Sequence, residues 1–397
     1  MESLPLEQDI DISELDRAEI ITKVVELTRK NYCIPQAGEK AALELEHLQS
    51  SGEFTTATTL KAFANKLTSV LRKTDIHFSI RLKSEAVPEP PTYDNSGSYK
   101  LSDDEIKIIT EQLAFENHGI KTAEILIGRV GYLKWDKIMD AEIPGVIDHV
   151  VDSLNYLSDC FALIVDLRDC GGGHGETADV LYDALFQLET HVNDFYFRPQ
   201  NETTKRFVGK SDRFPGLKRK WFGKPVFILT SKKTFSCGEE IAYTLQTFGK
   251  AKTIGSRTGA GAHPGQLFWI HPHMWLFIST GINYNTITKT DWEPNGVEPD
   301  IPIQDPDHAL LVGHKLALEY VVAEKLKTSS EEYIGKVRFE YEKKIEELEI
   351  EIQQALQSKQ SKWVKTVTTK KTNAKKIVDG FENQVTSTVI KTIYTST

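Results

Sequence analysis

Apolar positions in the first eighty residues recur at helical spacing. Ile20, Ile21, Val24, Val25 and Leu27 make one face, and Leu60, Phe63, Ala64, Leu67, Val70 and Leu71 make another. This predicts a small helical domain over residues 1–82. It ends in IHFSIR and gives way to SEAVPEPPTYDNSGS, whose Pro, Ser and Gly content marks a linker over 83–100. From there the pattern alternates. ILIGRVGYLKW reads as a hairpin with a Gly-Arg turn, IPGVIDHVVDSLNYL as a helix, FALIVDLRD as a buried strand, ETADVLYDALFQL as a helix and PVFILTS as another buried strand. Strands alternating with helices predict an α/β domain, extended by the strand-rich LFWIHPHMWLFIS and VEPDIPI and closed by a helix over 306–326.

The remainder, 327–397, has a different composition. Ile345, Leu348, Ile352 and Ala355 follow coiled-coil spacing for about two heptads, fewer than a self-standing coiled coil uses, so partner binding or self-association through a 331–357 helix is one expectation. From Gln357 onward eight Lys stand against Asp379 and Glu382, and the Thr/Lys-rich composition predicts a flexible, solvated appendage that the core can fold without.

At 397 residues, 40% of them hydrophobic, the chain can bury ordinary cores. A net charge of −9 argues against a nucleic-acid partner. The acidic start MESLPLEQDIDISELD has no apolar signal region, and no run approaches the ~20 apolar residues of a membrane span, so a cytoplasmic location is expected. Four cysteines at irregular spacing (Cys33, Cys160, Cys170, Cys237) predict free thiols, and the histidines form no metal pattern, so neither metal nor cofactor is expected.

Two segments carry candidate chemistry. In TFSCGEEIAYTLQTFGK, Ser236 stands directly before an amphipathic helix, and with Glu239 it fits a capping box. A nucleophile could occupy the same place, because helix N-terminal amides favour an oxyanion. DLRDCGGGHGE puts three glycines after a buried strand but lacks the spacing of a phosphate loop. A glycine turn presenting amides to an oxyanion, or a plain tight turn, fits it better.

Several segments in order resemble the tail-specific protease superfamily, in the branch of interphotoreceptor retinoid-binding protein and the tricorn core. They are NYCIP, LRKTDIHFSI, VGYLKWD, ALIVDLRDCGGG, HVN, TSKKTFSCGEE, RTGAGAHP and TDWEPNGVEPDI, covering residues 15 to 326. The resemblance implies a ClpP/crotonase-like ββα core over 101–326 behind the helical N-terminal domain, without an inserted PDZ domain. It implies Ser236 as nucleophile, His77 as general base and Glu293 as its orienting carboxylate. The oxyanion hole would come from the Cys237 amide and a glycine of Gly171 or Gly172. Two departures matter: Gly261 stands where processing proteases carry a lysine, and Ile76 where the tricorn core has a serine. The implied activity is a serine peptidase acting on peptides or unfolded protein through a Ser/His/Glu site. A non-catalytic module for an apolar, retinoid- or fatty-acid-like ligand and a peptidase-fold adaptor are the alternatives. Read singly, His77 could equally be a half-buried core histidine and Glu293 a surface carboxylate.

Overall fold

A computed structural model describes residues 9–89, 103–326, 331–357, 363–378 and 381–396. The acidic start up to residue 8 and most of the expected linker lie outside the described residues. In chain order the first elements are α1 (Glu14–Asn31), α2 (Pro35–Ser50), α3 (Leu60–Leu71), β1 (Ser79–Leu82), α4 (Asp103–Phe115), β2 (Ile120–Leu126), β3 (Val130–Trp135), α5 (Val146–Leu157), β4 (Ala162–Asp166) and α6 (Gly175–Leu185). There follow β5 (Thr190–Phe197), β6 (Glu202–Val208), β7 (Val226–Thr230), α7 (Cys237–Thr247), β8 (Lys252–Gly255), β9 (Gly265–His271), β10 (Met274–Ser279), β11 (Gly281–Asn285) and β12 (Ile301–Pro302). The last are α8 (Ala309–Tyr320), α9 (Glu331–Gln357) and two strands, β13 (Trp363–Val378) and β14 (Phe381–Ser396), paired antiparallel where the composition suggests an unstructured tail.

The chain forms two compact units. The first takes Met1–Ile109, Thr190–Phe207 and Ala260–Asn295. Its helices bury the faces expected from spacing: Ile20, Ile21, Val24 and Val25 of α1 and Phe63, Leu67 and Leu71 of α3 enter one core with Phe78, Phe268, Met274, Leu276 and Ile278. Those last residues come from β9 and β10, which with β1 form an antiparallel sheet in the order β1-β10-β9, Ser79 opposite Phe277. The N-terminal helices therefore share their core with a hairpin some two hundred residues downstream. A second sheet, β11-β5-β6, completes the unit.

The second unit takes Thr110–Glu189, Val208–Gly259 and Gly296–Thr397. Its sheet has the order β12-β8-β7-β4-β3-β2, with β2 and β3 antiparallel and the other pairings parallel. β4 and β7 are buried along their whole length, as parallel strands covered on both faces must be. Gly128 and Arg129 both take positive φ, which closes the β2–β3 hairpin in the expected turn with the twist its strands need. The crossovers β3-α5-β4, β4-α6-β7 and β7-α7-β8 give the mixed α/β architecture. Two of the loops that leave strand ends, after β4 and after β7, carry the glycine turn and Ser236.

The apolar stripe of α9 is used within this unit. Leu348 and Ile352 are buried, and Ile352 and Leu356 join Ala309, Val312 and Ala317 of α8 in the core, with Lys315 bridged to Glu349 at 3.1 Å. The helix expected to be a dispensable appendage or a self-association surface thus covers α8. Burying one aliphatic side chain is worth roughly 1.5–3 kcal/mol. A chain ending at residue 328 is therefore expected to unfold at a clearly lower denaturant midpoint than the full chain, and an unchanged midpoint in chemical denaturation would show that α9 stabilises nothing. No helix among the described residues is long and apolar enough to cross a membrane.

Candidate active site

Ser236 lies at the end of a short loop that the sequence ties down with hydroxyls. The Ser231 hydroxyl donates to the Arg168 carbonyl at 2.5 Å and that of Thr234 to Leu167 at 2.7 Å, while the Phe235 amide donates to the Cys170 carbonyl at 2.9 Å. The loop after β7 is thereby laced to the loop after β4. The latter is anchored by Asp166, which accepts the Tyr132 hydroxyl at 2.7 Å and two bonds from Arg168 at 2.8 and 2.6 Å. Arg168 also donates to the Pro306 and Asp307 carbonyls.

The backbone at Ser236 is unusual. It has φ 52° and ψ −123°, whereas Ser13, which carries the same capping signature before α1, has φ −70° and ψ 163°. Ordinary N-caps sit in the extended region, as Ser13 does. A non-glycine residue held at positive φ costs on the order of 1–3 kcal/mol and persists only where its surroundings enforce it. Here Glu239, fully buried, accepts the Ser236 backbone N–H at 3.0 Å on one carboxylate oxygen and the Thr258 hydroxyl on the other. A strained serine between a strand and a helix, with the helix N-terminus behind it, is the arrangement of a nucleophile elbow.

The glycine turn meets this serine. Gly172 has φ 97°, and a Cβ there would stand 2.7 Å from the Ser236 Cβ, 2.8 Å from the Phe235 carbonyl oxygen and 3.1 Å from the Cys237 amide nitrogen. Gly171 has open space around it, and its N–H donates to the Asp136 carbonyl at 3.2 Å. Of the two glycines open from sequence, Gly172 is the one against Ser236. Cys237 is the first residue of α7, so its amide belongs to the positive end of the helix. Behind them Cys170 is wholly buried, and burial pushes its thiol up to about 12, which leaves it inert. All four cysteines are free and buried.

His77, Glu293 and the groups around them belong to the first unit. His77 follows α3 in a tight turn in which Asp75 Oδ1 accepts its backbone N–H at 2.8 Å and lies 3.6 Å from its ring Nδ1. Burial and the nearby Asp75 charge both push the Tyr32 hydroxyl up. The other Asp75 oxygen is 3.2 Å from Nδ1 of His263, which in turn is 3.2 Å from Glu293 Oε2, and His263 Nε2 is 3.4 Å from Asp291 Oδ2. Glu293 further accepts the Ala262 N–H at 3.0 Å, and Asp291 accepts the Glu293 N–H at 2.8 Å.

The carboxylate beside His77 is therefore Asp75, while Glu293 bonds to Ala262 and faces His263. The reason is electrostatic. Both ring nitrogens of His263 face carboxylate oxygens, which only the doubly protonated ring can satisfy. Burial opposes that charge, but Asp291, Asp75 and Glu293 together push the ring up to about 10. Since an unfolded histidine titrates near ~6.5, this contact contributes stability that is complete below that pH and is lost as pH rises through about 10. Asp75 is buried, which would raise its carboxyl, yet the bonds from His263 and His77 outweigh this and hold it well below the carboxylate range. Burial and the neighbouring Asp75 charge raise Glu293. Asp75, His263 and Glu293 bring three donor atoms within 4.8 Å, the spacing of a cation site, and the His263 imidazolium already supplies a positive charge there. Asp75, Asp291 and His263 were assigned no role from sequence.

At position 261 the residue is glycine, its carbonyl accepting the Trp292 indole N–H at 3.1 Å. Lys233, three residues before Ser236, is 77% exposed and paired with Asp169 at 2.9 Å.

The chain is similar to several solved structures. A lipoprotein from Streptococcus agalactiae superposes with a TM-score of 0.50 at 13% identity, over 79% of this chain and 99% of that one. The tricorn protease gives 0.47 at 12% identity, over 81% of this chain and 37% of that one. The photosystem II D1 C-terminal processing protease gives 0.43 at 12%, over 75% and 94%. Residues 129–303 match peptidase family S41, a stretch that contains the glycine turn, Ser236, His263 and Glu293.

Proposed function

We propose that the chain is a serine peptidase that cleaves peptides or unfolded protein through an acyl-enzyme. Ser236 is the nucleophile, His77 the general base and Glu293 part of the carboxylate cluster behind that base. The observation that carries this reading is the backbone of Ser236, held at positive φ by Glu239 with Gly172 packed against it. A cap needs no such conformation, since Ser13 caps α1 without it. In the proposed reaction the Ser236 hydroxyl oxygen attacks the peptide carbonyl carbon as its proton passes to the imidazole, and the carbonyl oxygen takes up negative charge near the Cys237 amide. Collapse expels the amine with that proton, and water releases the acyl group by the same steps in reverse order. Gly261 in place of lysine favours a histidine base over a Ser/Lys dyad. We assign the chain to the tricorn-like branch on the same ground and propose a cytoplasmic location.

The test is covalent. The full chain is expected to react with a serine-directed fluorophosphonate, with the adduct on Ser236, and to cleave members of a mixed peptide pool read by mass spectrometry. His77→Ala should lose both while remaining folded. A wild-type protein that neither labels nor cleaves would overturn the proposal, and tight binding of an apolar ligand by that same protein would put the binding-module reading in its place.

A further inference from the structure

Asp75 does two things with one carboxylate. Its Oδ1 holds the His77 backbone N–H at 2.8 Å and stands 3.6 Å from the ring, while Oδ2 meets His263 at 3.2 Å. Its side chain is fully buried, so neither oxygen is screened by water. A carboxylate bonded to the backbone of a histidine, with the same oxygen 3.6 Å from that ring's Nδ1, fixes where the ring starts, and its charge favours the tautomer that carries the proton on Nδ1. Glu293 is one step further away: its Oε2 bonds to Ala262 and faces His263, and His263 lies between Glu293 and Asp75. Asp291 closes the far side of His263.

Three carboxylates this close repel one another unless a cation stands among them. His263 is 5% exposed and is the positively charged side chain in contact with all three. The geometry points to Asp75 as the carboxylate that positions the His77 imidazole, and to His263 as the fixed cation that holds Asp75, Glu293 and Asp291 in one cluster. His263 thus acts through Asp75, as a positioning residue. The catalytic meaning of the pair rests on the peptidase reading, but its geometry is testable without any activity.

The experiment uses the full chain labelled with 15N-histidine, its ring signals assigned by single His→Gln variants. At pH 8, where an ordinary imidazole is neutral, the His77 ring is expected as the Nδ1–H tautomer and the His263 ring as doubly protonated. Asp75→Asn keeps an oxygen for the His77 backbone N–H but removes the charge, and should shift the His77 ring toward the Nε2–H tautomer. Glu293→Gln should leave that ring unchanged. In peptide cleavage Asp75→Asn should lower kcat on the order of 10²–10⁴-fold with KM little changed, and Glu293→Gln should cost markedly less. An Nε2–H tautomer of His77 in the wild type would overturn the role of Asp75 even if Asp75→Asn fails to fold. A His77 ring altered by Glu293→Gln and not by Asp75→Asn would overturn it too, and a neutral His263 at pH 8 would overturn the cation. Failure of the peptidase reading shows separately, as a wild type without labelling or cleavage, and leaves these ring measurements to decide.

Discussion

Ser236→Asn is expected to leave the protein folded and to remove peptide cleavage by at least about 10⁴-fold in kcat/KM, the scale on which serine hydrolases lose activity when the nucleophile is taken away. Asparagine is a suitable replacement for two physical reasons. It caps helices about as well as serine, and it is among the side chains that tolerate positive φ, the backbone Ser236 adopts at 52°. The bond that fixes this turn runs from the Ser236 backbone N–H to Glu239 and does not involve the side chain. Asparagine has no hydroxyl to form an acyl-enzyme. If Ser236 were a cap and nothing else, Ser236→Asn would be close to neutral and Ser236→Ala would cost ~1 kcal/mol of stability with catalysis intact. Thermal unfolding of each variant beside its cleavage rate separates these outcomes, and full cleavage by Ser236→Asn would remove Ser236 from the mechanism.

The parts of this arrangement that local sequence could reveal are those built from contiguous residues. The strand, loop and helix around Ser236 follow from a buried apolar run, a hydroxyl-rich turn and helical periodicity, and the glycine turn announces itself by composition. What local sequence could not show is pairing at a distance. Asp75 and His263 are 188 residues apart, and nothing in the spacing of either segment indicates the other. The segment RTGAGAHP shows no partner for its histidine in the sequence, because a charged histidine is recognised by what faces its two nitrogens. A weak local sign was present: an acidic residue stands two positions before His77 and again two positions before Glu293, and each accepts the backbone N–H of its neighbour. The expected helical domain of 1–82 has the same limit. Its helices were legible, but the strand β1 that ends it pairs with β10, so the compact unit takes in chain that periodicity assigned elsewhere. The stripe on α9 was legible as well, and only its partner, α8, was hidden.

Gly172→Ala is expected to damage both stability and activity, and Gly171→Ala to do little, although the two are adjacent and chemically the same change. At position 172 the added methyl would stand 2.7 Å from the Ser236 Cβ and 2.8 Å from the Phe235 carbonyl oxygen, distances that real Cβ atoms do not hold, on a backbone at φ 97° that L-residues avoid. Something must move, and the atoms in the way are Ser236 and its own loop. The Gly172 carbonyl also accepts the Ile138 N–H at 2.9 Å, so relief by shifting the turn breaks a bond to the neighbouring segment. A loss of roughly 1–3 kcal/mol for the strained backbone is expected, together with a fall in kcat on the order of 10²–10³-fold as the proposed oxyanion donors leave their positions. Position 171 offers open space and no positive φ, and its N–H bond to Asp136 survives a side chain, so the change in stability should stay within about 0.5 kcal/mol. Urea unfolding and peptide cleavage on the two variants provide the comparison. Equal damage at both positions, or a harmless Gly172→Ala, would show that the glycine turn does not pack against Ser236 in the working protein, and the oxyanion site would have to be sought elsewhere around the start of α7.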